Sequence, residues 1–140
     1  MANTLNEIRK TVETRLADEF RYAPIIPVIF QNMEFKPDGL TPYIQCLTSF
    51  GNSEYLTMGG KAFGSDRIVG LLTIDIFTPE GVGPGDSLVI GERIRNLYNR
   101  ANVSGVYFDA PIGPELLGTS DEGFKTQVRV TFEYIEVHPT

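Results

Sequence analysis

Apolar positions change period several times along the 140-residue chain, and each period names an element. Leu5, Ile8, Val12, Leu16 and Phe20 recur every three or four positions, the spacing that places side chains on one helical face. Thr4 and Glu7 fit a capping box, in which a hydroxyl and a carboxylate satisfy the first free N–H groups. The spacing predicts a helix from about 4 to 20. Pro24 and Pro27 exclude helix from "YAPIIPVIF", since neither ring nitrogen can donate a hydrogen bond, and a short edge-like first strand is expected there.

Alternation takes over in "TPYIQCLTSFG", residues 41–51, with Tyr43, Gln45 and Leu47 on one side and Ile44, Cys46 and Thr48 on the other. "RIVGLLTIDIF", Arg67 to Phe77, is apolar at nearly every position before Thr73 and Asp75 enter. It is expected to be the central strand, buried on both faces at its start and half-solvated at its end. Helical spacing returns in Leu88, Val89, Ile90, Ile94, Leu97 and Tyr98, a wide stripe with Asp86 or Ser87 placed to cap it and an end near Tyr98 to Arg100. "VSGVYFD", 103–109, reads as a short strand. "GFKTQVRVTFEYIEV" is the clearest strand in the chain, with Phe124, Thr126, Val128, Val130, Phe132 and Tyr134 alternating against Lys125, Gln127, Arg129, Thr131 and Glu133.

Helix, strands, helix and strands in that order predict an α+β domain spanning 1–140, a mostly antiparallel or mixed β-sheet packed against two α-helices. Its core is expected to join Leu5, Ile8, Val12, Leu16, Ile74, Ile94, Leu97, Val128, Val130 and Phe132. Two stretches, 51–66 and 110–123, read as long loops. Both carry large apolar side chains: Tyr55, Leu56, Met58 and Phe63 in the first, Ile112, Leu116 and Leu117 in the second. Apolar residues that do not tuck onto the parent core form patches of the kind that mark protein contacts, so these seven are the candidate interface. The four glycines of the first stretch add the expectation that it is mobile in a free subunit and ordered on assembly.

Charge narrows the function. Eighteen acidic against twelve basic residues leave a net charge of -6, which argues against a complex held by neutralising nucleic-acid phosphates. The longest apolar run, "APIIPVIF", is eight residues with two prolines, short of the roughly 20 needed to cross a bilayer, so no membrane partner is expected. "MANTLNEIRK" contains no apolar signal core. The single cysteine, Cys46, has no intrachain disulfide partner and reads as a small buried hydrophobe in a reducing cytoplasm.

Motifs for catalysis fail on their residues. "IFTPEGVGPGDS", 76–87, sits between strand and helix, as a phosphate loop would. A dinucleotide fingerprint needs a third glycine where Asp86 stands, and a P-loop needs lysine followed by serine or threonine after Gly85. Glu80 and Asp86 also oppose an anion at the helix start. The stretch is a turn in which Gly83 or Gly85 is expected at positive φ. His138, the only histidine, lies near the C-terminus and reads as a surface tail residue, and no histidine or cysteine cluster exists for zinc. The pairs Asp18–Glu19 and Asp121–Glu122 read as solvated charge. A pocket using Tyr43, Tyr55 or Asp75 is the enzyme or ligand-binding alternative.

The segment "GLLTIDIFTPEGVGPGDSLVIGERIRNLYN", 70–99, resembles the strand, glycine turn and helix of tail terminator proteins of long-tailed bacteriophages. "LNEIRKTVETRLADEF", "IIPVIFQN", "TPYIQCLTSFG" and "FKTQVRVTFEYIEV" follow in that family's order, so the resemblance covers nearly the whole chain. It implies a ring, typically a hexamer of this chain, that binds the last ring of the tail tube protein, stops tube polymerisation and offers a face to the head-completion or connector protein. DNA would pass through without specific binding. No cofactor and no catalysis are implied, and the location would be the head-proximal end of the virion tail, with assembly in the host cytoplasm. A head-completion or tail-tube subunit of the same virion is the nearest alternative.

Overall fold

The computed structural model describes residues 4–37, 40–51, 54–55, 64–120 and 123–138. Its chain order is α1 (Thr4–Glu19), β1 (Val28–Phe30), β2 (Tyr43–Phe50), β3 (Glu54–Tyr55), β4 (Gly64–Thr78), α2 (Gly85–Tyr98), β5 (Asn102–Val103), β6 (Val106–Phe108), β7 (Ile112–Ser120) and β8 (Gly123–His138). The eight strands form one mixed sheet in the order β1-β2-β4-β8-β6-β5, with β3 added to β4 and β7 to β8. Only β1 and β2 run parallel; every other pair is antiparallel. The expected α+β architecture is therefore the one found.

The long antiparallel pair β4–β8 is the spine, in register from Gly64↔His138 to Thr78↔Phe124. Along one margin of β4 lie β3 and then β2; along the outer margin of β8 lie β6 and then β7. Register puts Ile44, Cys46, Leu72, Ile74, Val128 and Val130 on one face, all buried under the helices. Both helices contribute their apolar stripes to this core, through Ile8, Val12 and Leu16 of α1 and Ile90 and Ile94 of α2.

Polar contacts fix the helices to each other. Arg15 donates through Nε and Nη2 to the Leu97 carbonyl at 2.9 and 2.7 Å, and the buried Tyr98 hydroxyl donates to the Val12 carbonyl at 2.6 Å. Arg93 lies over the Phe20 ring at 4.2 Å and donates to the carbonyls of Glu19 and Pro24, both at 2.9 Å. Buried Glu13 accepts from Arg9 and from the Thr48 hydroxyl, each at 2.8 Å, so the carboxylate under the sheet is paired.

Several expectations need correction. The stretch 110–123 is not a loop: Ile112–Ser120 is strand β7, turned by a hairpin onto β8. Burial along β4 runs opposite to the expected direction, with Val69 to Leu71 half-buried and Ile74 to Thr78 buried. The cause is a second cover on the face away from the helices, where Phe35 packs on Tyr43 and Tyr43 stacks on Phe77, each at 4.9 Å between ring centres. Helix α2 begins at Gly85 with Pro84 at its N-cap, so Asp86 and Ser87 are already helical; Ser87 is buried and donates to the Pro84 carbonyl at 2.9 Å. Leu88 and Val89 are exposed and Leu97 only partly buried, because the helix presents Ser87 and Gly91 to the sheet instead. Leu5 is exposed, and Thr4 is itself helical with its hydroxyl donating to Glu136 at 2.9 Å. The stretch 103–109 is part of a hairpin, turned at Ser104 and Gly105, both at positive φ. His138 belongs to β8, paired with Gly64. In the glycine turn, by contrast, the expected positive φ is found, at Gly83 with +80°.

Candidate functional site

β7 is built by a pattern that disguises it. Gly113 and Gly118 take φ of +100° and +96°, and the register against β8 shifts between Ile112 and Glu115 and again between Leu116 and Gly118. These are β-bulges, which put extra residues into one strand and re-aim its side chains. Pro114 between them rests on α2 at Gly91, where an added Cβ would come within 2.4 Å of Pro114 Cγ. Glycine is what lets strand and helix approach so closely. Arg129 of β8 donates to Glu115 at 2.9 Å and closes the contact on the other face.

The outcome is a strand whose large side chains point outward: Ile112 is 52% exposed, and Leu116 and Leu117 are each 47% exposed. The three candidate residues of the second stretch are thus brought together on one marginal strand. Of the first stretch, Tyr55 lies on β3, its backbone paired with Asp66, while Leu56, Met58 and Phe63 lie outside the described residues. β3 and β7 sit on opposite margins of the β4–β8 spine and at opposite ends of it. β3 meets β4 at Asp66 and Arg67, and β7 meets β8 opposite the Thr73–Thr78 half of β4. The backbone of β3 and the strand β7 are thus set apart on the sheet.

A further apolar margin went unread in the sequence. Tyr22 and Ile25 are more than 70% exposed in the stretch that leads into β1, and Met33 beyond β1 is also exposed. Its signal was available: residues 22–33, "YAPIIPVIFQNM", contain no charged side chain.

Tyr43 and Phe77 line a cleft of about 870 Å³ with Leu40, Pro79, Glu80 and Val82, at the glycine-turn end of the sheet. Asp75 is buried beside it, accepting from Gln127 Nε2 at 2.9 Å with Lys125 Nζ at 3.5 Å, a paired structural carboxylate. Tyr55, whose backbone pairs with Asp66, lies at the far end of β4. Asp18 pairs with Arg21 and Glu19 with Arg93, while Asp121 and Glu122 lie outside the described residues. Among the described residues, no three His, Cys, Asp or Glu side chains converge as a metal site, and no helix is long and apolar enough to cross a membrane. Cys46 is buried, and burial pushes its thiol far above the usual range, with the nearby negative charges of Glu13 and Asp75 adding to the shift. Such a thiol is inert packing, as read from the sequence.

Comparison with known proteins completes the picture. No curated protein sequence matches the chain. Fourteen chains of solved structures match it; one of them, 18% identical, superposes with a TM-score of 0.67 over 98% of this chain and 99% of its own. At that identity the likeness speaks for the fold alone. The sequence model described as phage tail terminator protein matches residues 7–103, well over half the chain, from within α1 through β5. The protein therefore belongs to the phage tail terminator protein family, a family of structural components of the bacteriophage tail.

Proposed function

We propose that this chain assembles into a closed ring, a hexamer, that caps the tail tube, ends tube polymerisation and presents its other face to the head-completion or connector protein. The observation that carries the reading is the placement of apolar surface on two different margins of one sheet in a chain of this family. Rings close through heterologous contacts, in which one surface of a subunit meets a different surface of the next. β7 supplies one such surface, and the margin of β1, with exposed Tyr22 and Ile25 leading into it, supplies the other. Charge suits a channel for DNA: at -6 per copy, the ring would let the duplex pass without holding its phosphates. The site is the head-proximal end of the tail, reached after assembly in the host cytoplasm.

The test is native mass of the purified protein across concentration, with and without the tail tube subunit. A closed oligomer of fixed number is expected, together with tubes that stop growing once it binds. A strict monomer that never binds tubes overturns the reading. Open-ended polymerisation of the chain alone would make it a tube-forming subunit instead.

A further inference from the structure

Sheet margins are hazardous because their unpaired N–H and C=O groups template another strand, and folded proteins keep such strands short or charge them. Here β1, β3 and β5 obey, at 3, 2 and 2 residues. β7 runs 9 residues, pairs among the described residues only with β8, and carries a single charge, Glu115, already bonded to Arg129; its protection is confined to Pro114 and the two bulges, which leave Leu116 and Leu117 between them. Its large side chains Leu116 and Leu117 stand exposed beside that free backbone. Past the irregularity at Gly118, which takes a φ of +96°, Thr119 and Ser120 continue the pairing with β8.

On the opposite margin, β1 gives one side of its backbone to β2 through Val28↔Ile44, Ile29↔Gln45 and Phe30↔Cys46. Its other side faces away from the sheet. Ile25, Pro27 and the half-buried Val28 and Ile29 line this margin within a twelve-residue stretch, 22–33, that has no charge. A chain of net charge -6 repels its own copies at long range, so copies meet most favourably where charge is absent. These two margins are apolar and nearly uncharged, and they lie on opposite sides of the same sheet.

We infer that β7 of one copy docks against the Ile25–Phe30 margin of a second copy, extending the sheet from subunit to subunit. The occupant of each margin is another copy of this chain, and main-chain pairing gives the contact its register while Leu116, Leu117 and Ile25 give it apolar area. The contact is heterologous and leaves one margin of each kind free at the ends of any open row, so a row satisfies both only by closing. The pairing rests on the ring assembly proposed above.

Cysteine cross-linking tests it, since buried Cys46 stays silent. Leu117→Cys and Ile25→Cys, made separately and mixed under mild oxidation or with a short bismaleimide, should join unlike chains, and a chain carrying both should give a ladder ending at the ring number. Neither single variant should link to itself. Self-linking of Leu117→Cys would mean that two β7 strands meet, which overturns the pairing. A closed ring by native mass with no cross-link overturns the pairing and leaves the ring standing; a monomer at every concentration and on tubes overturns both. In parallel, Leu117→Lys, at an exposed position, should leave melting unchanged and weaken self-association by about tenfold or more, the scale of one interfacial anchor, with recovery when Ile25→Glu is added. Unchanged association of Leu117→Lys would also overturn it.

Discussion

Gly70 is the position where the sheet has least room. It lies in mid-β4 with Phe132 of β8 on one side in register and Phe50 of β2 on the other. A Cβ built there falls 2.3 Å from Phe132 Cζ, 2.7 Å from Cε1 and 2.8 Å from the Ser49 carbonyl oxygen. Neither neighbour can yield cheaply. The Phe132 ring is 2% exposed and wedged between Phe50, edge-on at 5.9 Å, and Phe108 at 6.1 Å. The Ser49 oxygen belongs to a paired strand. By backbone preference alone, Gly70→Ala would stabilise a strand interior by about 0.5–1 kcal/mol. Overpacking a filled core costs about 1–3 kcal/mol. The packing term wins, and a net loss of about 1–2 kcal/mol is expected from urea unfolding at constant m-value. Phe132→Ala alone should cost about 3–5 kcal/mol. Combined, the two changes should cost less than their sum by about 1 kcal/mol, because the alanine methyl then occupies space the ring has left. A stabilised Gly70→Ala, or two costs that simply add, would refute this account of the packing.

Three further outcomes are expected. Gly91→Ala should destabilise despite the helix preference of alanine worth about 1 kcal/mol, because its methyl would meet Pro114 Cγ at 2.4 Å and push β7 off α2; a gain in midpoint would refute the contact. In the glycine turn, Gly83→Val should cost roughly 1 kcal/mol or more from its φ of +80°, whereas Gly85→Ala, in open space at the helix start, should be neutral or stabilising; equal effects in thermal melts would contradict the assigned backbone. Stability should also fall in alkali. Burial raises the Cys46 thiol above its ordinary 9.0 and the Tyr98 hydroxyl well above 10.0, so the folded state holds both protons more tightly than the unfolded one. Their contribution is complete below pH 9.0 and is lost as pH rises, by up to about 1.4 kcal/mol per pH unit for each group. Urea midpoints that stay flat to about pH 11 would refute it, and Cys46→Ala should remove the part that begins at 9.0.

Elements with one uninterrupted period were legible in the sequence: α1, β2, β4, α2 and β8 all lie where the apolar spacing put them, because each buries one continuous face. β7 was not, since Gly113, Pro114 and Gly118 are turn signals locally and act here as bulges on a strand held by tertiary contacts. The burial of β4 was misjudged for a related reason. Its end is covered by Phe35 and Tyr43, residues more than thirty positions upstream, which no local pattern reports. The helix stripe was drawn too wide at Leu88 and Val89, because small residues, Ser87 and Gly91, hold the buried arc where sheet and helix come closest. Of the candidate surface, Ile112, Leu116 and Leu117 stand exposed on a strand, where a loop was expected. The uncharged margin 22–33 gives no local sign of exposure, because its prolines exclude helix without saying which side of the extended chain meets solvent.

The family is one of structural tail components, and the fold separates the parts that hold it together from the parts left at its margins. Stability is concentrated in the β4–β8 spine and the two helices, where the register is longest and Arg15, Arg93 and Tyr98 lock helix to helix. The margins carry little of it. β1 and β3 contribute a few pairs each, and β7, though paired with β8 from Ile112 to Ser120, is interrupted by two register shifts and rests on α2 through the close approach at Gly91. Exposed apolar residues can therefore collect at the margins without endangering the core, and a change there alters association before it alters folding. The angle between the two margins is fixed by the twist that the sheet accumulates from β1 through β4 and β8 to β7. If copies join margin to margin, that same twist sets the rotation from one copy to the next and so the number at which the ring closes. Substitutions in the spine that alter twist without unfolding it, such as Gly70→Ala with a relieved Phe132, should then change the oligomer number or prevent closure, while substitutions at Leu117 should weaken the ring without changing its count. Native mass of the two variant classes separates the outcomes, and a changed count from Leu117 variants alone would break the link between sheet twist and ring size.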